Sequence, residues 1–398
     1  MKILHTSDLH LGKRWHGISL LDDQDRVLDE ILALCDEHEV DMLLVAGDVF
    51  SDHVDGNKPA NVAWHLLQKL RQPLERGRAV FLLRGNHDPF ELFGLMNLMM
   101  TEMAGKDGLP LIIANQPGVY PAPGYSFQVI ALPYLSPSWL RTQPFTLDTT
   151  PDEQVAQLSG LLSHQLRQLF ARIPSGVPTI FAGHVQVTGA NIRPDMEFES
   201  RYNRDLWLHP RDLPQFTSYN ALGHIHLGQE IKGVGKPSWY AGAPDRLDLG
   251  ERDYHPHVLL VTTPETPGGT ATVVPLPLQT CTKWIFEELH GVDDVDRFCR
   301  SLDGPCIGDV KIFDIPAPYR GDLETRIHDA VPRIRIQWMG QAVAVEAIGG
   351  EEEGPSPQDV HGTVWTFLRR AFAQDPDRFM RLEEAFEALW SETSEVAV

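Results

Sequence analysis

The stretch FLLRGNHDPF, Phe81 to Phe90, decides the fold. An apolar run of strand type stops at Arg84, and an amide, an imidazole and a carboxylate follow at Asn86, His87 and Asp88. Gly85 permits a sharp turn before them and Pro89 stiffens the exit after them. Taken alone, the triplet reads either as a solvated Asx-type turn or as a reaction centre at the carboxyl end of a sheet strand. What lies around it separates the two.

Upstream, KILHTSD reads as a short buried strand, Leu21 to Glu39 as a helix with apolar residues at helical spacing, and DMLLVAGD as a second strand. Ala60 to Leu70 is a second helix, and AVFLLRGNHD is then the third strand. Strand, helix, strand, helix, strand implies a largely parallel sheet with right-handed crossovers. Leu92 to Met103 and Val155 to Phe170 are further helices. PTIFAGH and YNALGHIH repeat the strand-ending pattern, and short strands around Trp239 to Ala241 and His257 to Val261 close the sheet system.

Composition sets the outer limits. A chain of 398 residues with 42% hydrophobic and 22% charged residues is globular and long enough for two or three domains. The amino terminus lacks the long apolar segment of a signal peptide, and no run suffices to span a bilayer, so a cytoplasmic place is expected. The four cysteines form no CxxC pair, which argues against a disulfide framework and against zinc held by thiolates. Net charge is −21, and residues 351–398, with eleven acidic side chains against four arginines, hold about a third of it. A nucleic-acid partner would therefore need a local basic patch or divalent cations.

Beyond residue 262 the chain changes character. TTPETPGGTATVVPLPLQT, residues 262–280, reads as a boundary. KWIFEEL, DVKIFDI and IRIQWMGQAVAVEAI are strands, separated by helices near 292–302 and 320–330, which makes a small α+β domain over 281–348. Residues 349–358 form a polar, acidic linker, and 359–398 offer two amphipathic helices. Residues 1–275 are the larger domain.

Five strand ends thus finish in metal-type ligands: Asp8 and His10, Asp48, Asn86 with His87 and Asp88, His184, and His224 with His226. In an open α/β sheet such ends converge outside the carboxyl edge of the strands. Carboxylate, imidazole and amide oxygen together suit Mn²⁺, Fe²⁺ or Zn²⁺ more than Ca²⁺. Two such ions sharing one carboxylate and a hydroxide clamp a phosphate for in-line displacement. A histidine outside the metal set can then protonate the leaving oxygen.

The motifs SDLH, GDVF, GNHD, GHV and GHIH, in this order, resemble the calcineurin-like metallophosphoesterases, and more closely the SbcD family of bacterial double-strand-break repair nucleases. The segment YAGAPDRLDLGE is similar to one that follows the last motif there, and the resemblance spans roughly residues 1–255. It implies a four-layer αββα sandwich of two sheets flanked by helices, with a small capping domain and a helical tail. It implies that Asp8, His10 and His226 hold one metal ion and Asn86, His184 and His224 a second, with Asp48 bridging them. His87 is then the histidine outside the metal set that donates to the leaving oxygen, and Asp88 orients it. Further implied are Mn²⁺, exonuclease action on double-stranded ends, endonuclease action on single strands and hairpins, a role in DNA repair and recombination, and an SMC-like ATPase partner, SbcC. The tail is expected to dock on that partner, with a homodimer inside a heterotetramer.

Lys13, Arg14 and Trp15 follow the first motif where a loop should face the site, and Arg84, Arg193, Arg201 and Arg204 are further candidates for contact with a DNA backbone. His53 lies just past the bridging aspartate and is a weaker candidate. His5 is expected to be a core or supporting residue. GDVFSDH lacks the arginine that protein phosphatases of this superfamily carry after the bridging aspartate. A small-molecule or cyclic-nucleotide phosphodiesterase and a metal-free scaffold are the alternatives to a nuclease.

Overall fold

The computed structural model describes residues 1–51, 59–90, 92–94, 96, 109–135, 150–171, 173, 176–192 and 205–339. The expected linker and tail, His53, and Arg193, Arg201 and Arg204 lie outside the described residues, as does most of the helix expected over Leu92 to Met103. Residues Met1–Met339 form one compact unit.

Strands Lys2–Thr6, Met42–Val45, Ala79–Leu83 and Leu111–Ala114 run parallel, in that order, in one six-stranded sheet. His257–Thr262 and Thr272–Pro277 extend it antiparallel beyond the first strand. The four parallel strands lie between helices and a second sheet, and their side chains alternate between two cores. Leu4, Leu43, Val45, Val80 and Leu82 pack against Val27, Ile31, Val62 and Leu66 of helices Leu21–Glu37 and Pro59–Glu75. Ile3, Met42, Leu44 and Phe81 point the other way, onto Val129, Ile180 and Ala221 of a second six-stranded sheet. That sheet runs Gln229–Glu230, Ser238–Tyr240, Asn220–Gly223, Thr179–His184, Gln128–Leu132, Gly118–Pro121. Its outer face packs on helix Pro151–Phe170 through Leu158, Leu162 and Leu166. Helix, sheet, sheet, helix is the expected four-layer sandwich.

His5 sits wholly buried between the sheets, where its Nδ1 lies 2.8 Å from the Tyr219 hydroxyl. Burial pushes its pKa down to about 3, so it is a neutral, supporting residue. The helix before Thr179 begins earlier than expected, at Pro151, because Thr150 and Glu153 close a capping box. The segment expected as a boundary, 262–280, is partly strand. Pro275 and Pro277 fit there because Thr272–Pro277 is the edge of its sheet, where an outward N–H has no ladder partner to lose.

The small domain has three parallel strands, Lys283–His290, Cys306–Phe313 and Ile334–Met339, joined by helices Gly291–Ser301 and Ala317–Ala330 over its own core. It is fastened to the segment that follows the first motif. A short hairpin, Arg14–Trp15 with Ile18–Ser19, turns Trp15 inward and Arg14 outward. Trp15 packs edge-to-face on Trp284 with ring centroids 5.0 Å apart, and the Arg335 guanidinium lies over its ring. Instead of facing the site, Trp15 belongs to a small apolar cluster with Leu20, Trp284 and Ile307. Buried Asp23 completes the contact, bonded to Arg26 and to Arg333 of the small domain.

Candidate metal centre

Each ligand-bearing turn leaves its sheet at a strand's carboxyl end, and the turns are tied to one another by backbone bonds. Asp8 N donates to Gly47 O and His10 N to Asp48 O, each at 2.9 Å. His87 N donates to Asp48 Oδ1 at 2.8 Å, and the Asp8 carboxylate accepts from His224 N at 3.1 Å, joining the two sheets. Asp8, His10, Asp48 and His224 all have φ between +44° and +99°, a region non-glycine residues seldom occupy. Four such residues in one cluster mark a place where the surrounding fold overrides local backbone preference.

The motif glycines are there for lack of space. A Cβ on Gly47 would strike the His184 imidazole, one on Gly85 the Asp48 carboxylate, and one on Gly223 the Ala46 carbonyl. Gly47 also has φ +98°.

The seven expected ligands meet. Asp8, His10 and His226 bring donor atoms within 4.8 Å of one another, as do Asp8, Asp48 and His184. Asp48 Oδ2 lies 3.6 Å from His10 Nε2 and 3.3 Å from His184 Nε2, between the two sets. Asn86 Oδ1 lies 2.9 Å from His184 Nε2 and 3.0 Å from His224 Nδ1. All seven are buried except Asn86, which is partly exposed and marks the open side.

The chemistry of these atoms suits cations. His184 Nδ1 faces the Ala46 carbonyl at 2.8 Å and His226 Nδ1 faces Glu251 Oε1 at 2.6 Å, so in neutral rings each Nε2 presents a lone pair inward. Carboxylate oxygens, an amide oxygen and imidazole lone pairs then crowd together, a collection of acceptors that fits divalent ions. The electrostatics follow from burial and mutual charge. Burial drives the Asp8 carboxyl upward. Burial would also lower His184, but the Asp48 carboxylate outweighs it and pushes that imidazole up to about 9. Burial alone would raise Asp48, yet the imidazoles of His184, His10 and His87 hold it well below the usual carboxylate range. The clusters fit a two-metal site.

His87 is buried with its ring edge-on to His10, centroids 4.8 Å apart, and one of its nitrogens falls within 4.8 Å of donors from His10 and Asp48. The family resemblance implies that Asp88 orients it. The hydrogen bonds that the structure gives that carboxylate come from backbone N–H groups: Gly85 at 2.7 Å, Phe50 at 2.8 Å and Val49 at 3.2 Å. Asp88 thus pins the GNHD turn to the GDVF turn. Burial and the nearby Asp48 charge push it up to about 7 against those three bonds.

Among the candidates for DNA contact, Lys13 is buried close enough to act electrostatically on His10 and His226. Arg14 is exposed, its guanidinium folded back to Gly17 O. Arg84 is half-buried, donating to Tyr134 O at 2.6 Å and lying 5.7 Å from the Phe90 ring centre.

Sequence reasoning missed the residues behind the ligands. Glu251, fully buried, holds His226 and also accepts from Leu247 N at 2.7 Å. Asp205 lies 3.2 Å from His224 Nε2 and accepts from the Tyr134 hydroxyl at 2.7 Å. Gln24 donates to His10 O at 2.7 Å and accepts from Gly12 N at 2.9 Å, fixing the first turn from the neighbouring helix. Glu251 closes the segment YAGAPDRLDLGE, and that segment's position after the last motif is the one signal in the sequence that points to it. Among the described residues no helix is long and apolar enough to cross a membrane.

The family model described as calcineurin-like phosphoesterase matches residues 1–228. The SbcD component of nuclease SbcCD from Bacillus subtilis (strain 168) is 32% identical over 278 residues, covering 68% of this chain and 68% of that protein. The corresponding SbcD component from Escherichia coli (strain K12) is 29% identical over 281 residues, covering 66% of this chain and 65% of its own length. A solved dimetal phosphatase from Danio rerio aligns with 69% of this chain and 99% of its own at 14% identity, with a TM-score of 0.40.

Proposed function

The chain belongs to the calcineurin-like phosphoesterase family and, within it, to the SbcD nucleases, and on that premise we propose that it is the nuclease subunit of an SbcC–SbcD-type complex. One observation carries this reading: Asp48 Oδ2 stands between His10 and His184, which belong to two buried ligand sets that overlap at Asp8. In our reading Asp8, His10 and His226 hold one ion, Asn86, His184 and His224 the other, and Asp48 serves both. Two divalent ions so held, Mn²⁺ by this proposal, supply positive charge to a phosphodiester and lower the pKa of the attacking water. The protein's own part is to hold those ligands, to keep Lys13 beside the site, and to place His87 where it protonates the departing oxygen. The substrates proposed are double-stranded DNA ends for exonuclease action and single strands or hairpins for endonuclease action.

The small domain, proposed to run over 281–348, is held against the Lys13–Ser19 segment by Trp284 and Arg333 and extends the surface available to DNA beside the site. Residues 359–398, outside the described residues, are proposed to dock on the SMC-like ATPase.

The test is cleavage of linear duplex, hairpin and single-stranded DNA by the purified chain, with Mn²⁺ and with excess chelator. Expected is Mn²⁺-dependent degradation of all three, abolished by chelation. Hydrolysis of a small phosphodiester alone, with DNA left intact, would replace this reading by that of a small-molecule enzyme. A chain ending near residue 350 should keep this cleavage and lose the ATPase; retained ATPase binding would rule out the docking tail.

A further inference from the structure

Two ligand histidines have a carboxylate behind them, and the two arrangements differ. Glu251 reaches His226 from a fully buried position. Asp205 reaches His224 from a partly exposed one and is itself held by Tyr134. We propose that Asp205, backed by Tyr134, is the positioning residue of the second metal position, selecting which nitrogen of His224 faces it. The proposal rests on the two-metal reading but not on what is hydrolysed.

A neutral imidazole donates from one nitrogen and accepts at the other, and the partner of the first decides the second. Asp205 Oδ2 lies 3.2 Å from His224 Nε2 as an ion-pair contact rather than a formed hydrogen bond, and its negative charge favours the proton on that nitrogen. Nδ1 then carries the lone pair, and with Asn86 Oδ1 3.0 Å away the two acceptors fit a shared cation rather than a bond to each other. His184 is fixed the opposite way, with Nδ1 at the Ala46 carbonyl and Nε2 inward. The two imidazoles thus turn opposite nitrogens toward the position beside the Asn86 amide oxygen, where a cation would sit, and each needs its own outer partner to do so.

Asp205 is aimed by its surroundings. Its other oxygen accepts the Tyr134 hydroxyl, and the Tyr134 ring lies over His224 with centroids 6.1 Å apart and planes 32° apart, limiting ring rotation. Tyr134 is bonded both ways to Arg84: its N donates to Arg84 O at 3.0 Å, and its O accepts from Arg84 Nη2 at 2.6 Å. Arg84 precedes Gly85 and Asn86, so the brace and the amide ligand share one support. On the other side, Trp207–Leu208 pairs in parallel with Gln186–Val187, shortly after His184, which returns Asp205 to the same corner. Here Arg84 acts as a structural tie.

Outer partners of metal-bound histidines typically matter by about 10–100-fold in affinity. The test is Mn²⁺ titration of the full chain followed by electron paramagnetic resonance. The wild type should bind two ions and develop the signal of a coupled pair. Asp205→Ala should weaken one ion by about 10–100-fold, leave the other unchanged and lose the coupled signal. Asp205→Asn, whose amide oxygen still accepts from Nε2–H, should recover part of the affinity, and Tyr134→Phe should weaken the same ion less. Glu251→Gln should weaken the other ion. Two ions bound by Asp205→Ala as tightly as by the wild type would overturn the proposal, as would equal loss of both. Should Asp205→Ala fail to fold, unchanged affinity in both Asp205→Asn and Tyr134→Phe overturns it.

Discussion

Replacing His87 by glutamine is expected to lower Mn²⁺-supported cleavage of duplex ends by about 10²–10⁴-fold, the usual contribution of a positioned proton donor, while both ions remain bound. The reason lies in placement. His87 follows Asn86 in a turn pinned by Asp88 and by its own N–H on Asp48 Oδ1. The imidazole is therefore carried to the metal cluster by a backbone that does not depend on its ring. Glutamine keeps the backbone bond and a polar side chain but offers no proton of suitable acidity, so chemistry is lost and the site is kept. The readouts are cleavage rate and Mn²⁺ stoichiometry. Undiminished cleavage would remove the acid role. Loss of an ion would instead make His87 a ligand, a position its closeness to His10 and Asp48 allows geometrically.

Gly47→Ala should be at least as damaging, through metal binding. Its Cβ would occupy the place of the His184 imidazole, and alanine at φ +98° is disfavoured by roughly 1–2 kcal/mol. Relief requires His184 to move, which breaks its bond to Ala46 O and withdraws Nε2 from Asn86 and Asp48. The variant should fold, bind one Mn²⁺ weakly or not at all, and cleave about 100-fold more slowly or worse, as a misplacement of about 1 Å in a reacting site can cost 10²-fold. Wild-type affinity and rate would mean that the glycine is there only for the turn.

The contrast between these two sites and Asp205 shows what a sequence makes legible. Asp8, His10, Asp48, Asn86, His184, His224 and His226 each end a strand-like apolar run, so their convergence follows from the parallel topology alone. The glycines beside them are legible for the same reason. Asp205 lies in a bend and Glu251 ends the short 3-10 turn Leu249–Glu251, both away from the motifs that carry the histidines they hold. Glu251's place after the last motif gives a faint signal, and for Asp205 only the packed structure makes the link. Trp15 belongs to a stretch whose sequence places it facing the site, but the short hairpin's alternation sends it into the contact with Trp284. Strands Gly118–Pro121 and Gln128–Leu132 have no clear signature in the sequence: both are short, and the second is wholly buried without polar alternation. Thr272–Pro277 is hidden by its prolines, which an edge position accommodates.

Asp48 serving two ions at once is the central claim. Diffraction from Mn²⁺-soaked crystals, with anomalous scattering recorded at the manganese edge, tests it most directly. Two peaks are predicted, one within reach of Asp8, His10 and His226, the other within reach of Asn86, His184 and His224, with Asp48 contacting both. A single peak, or two peaks of which only one touches Asp48, would contradict it.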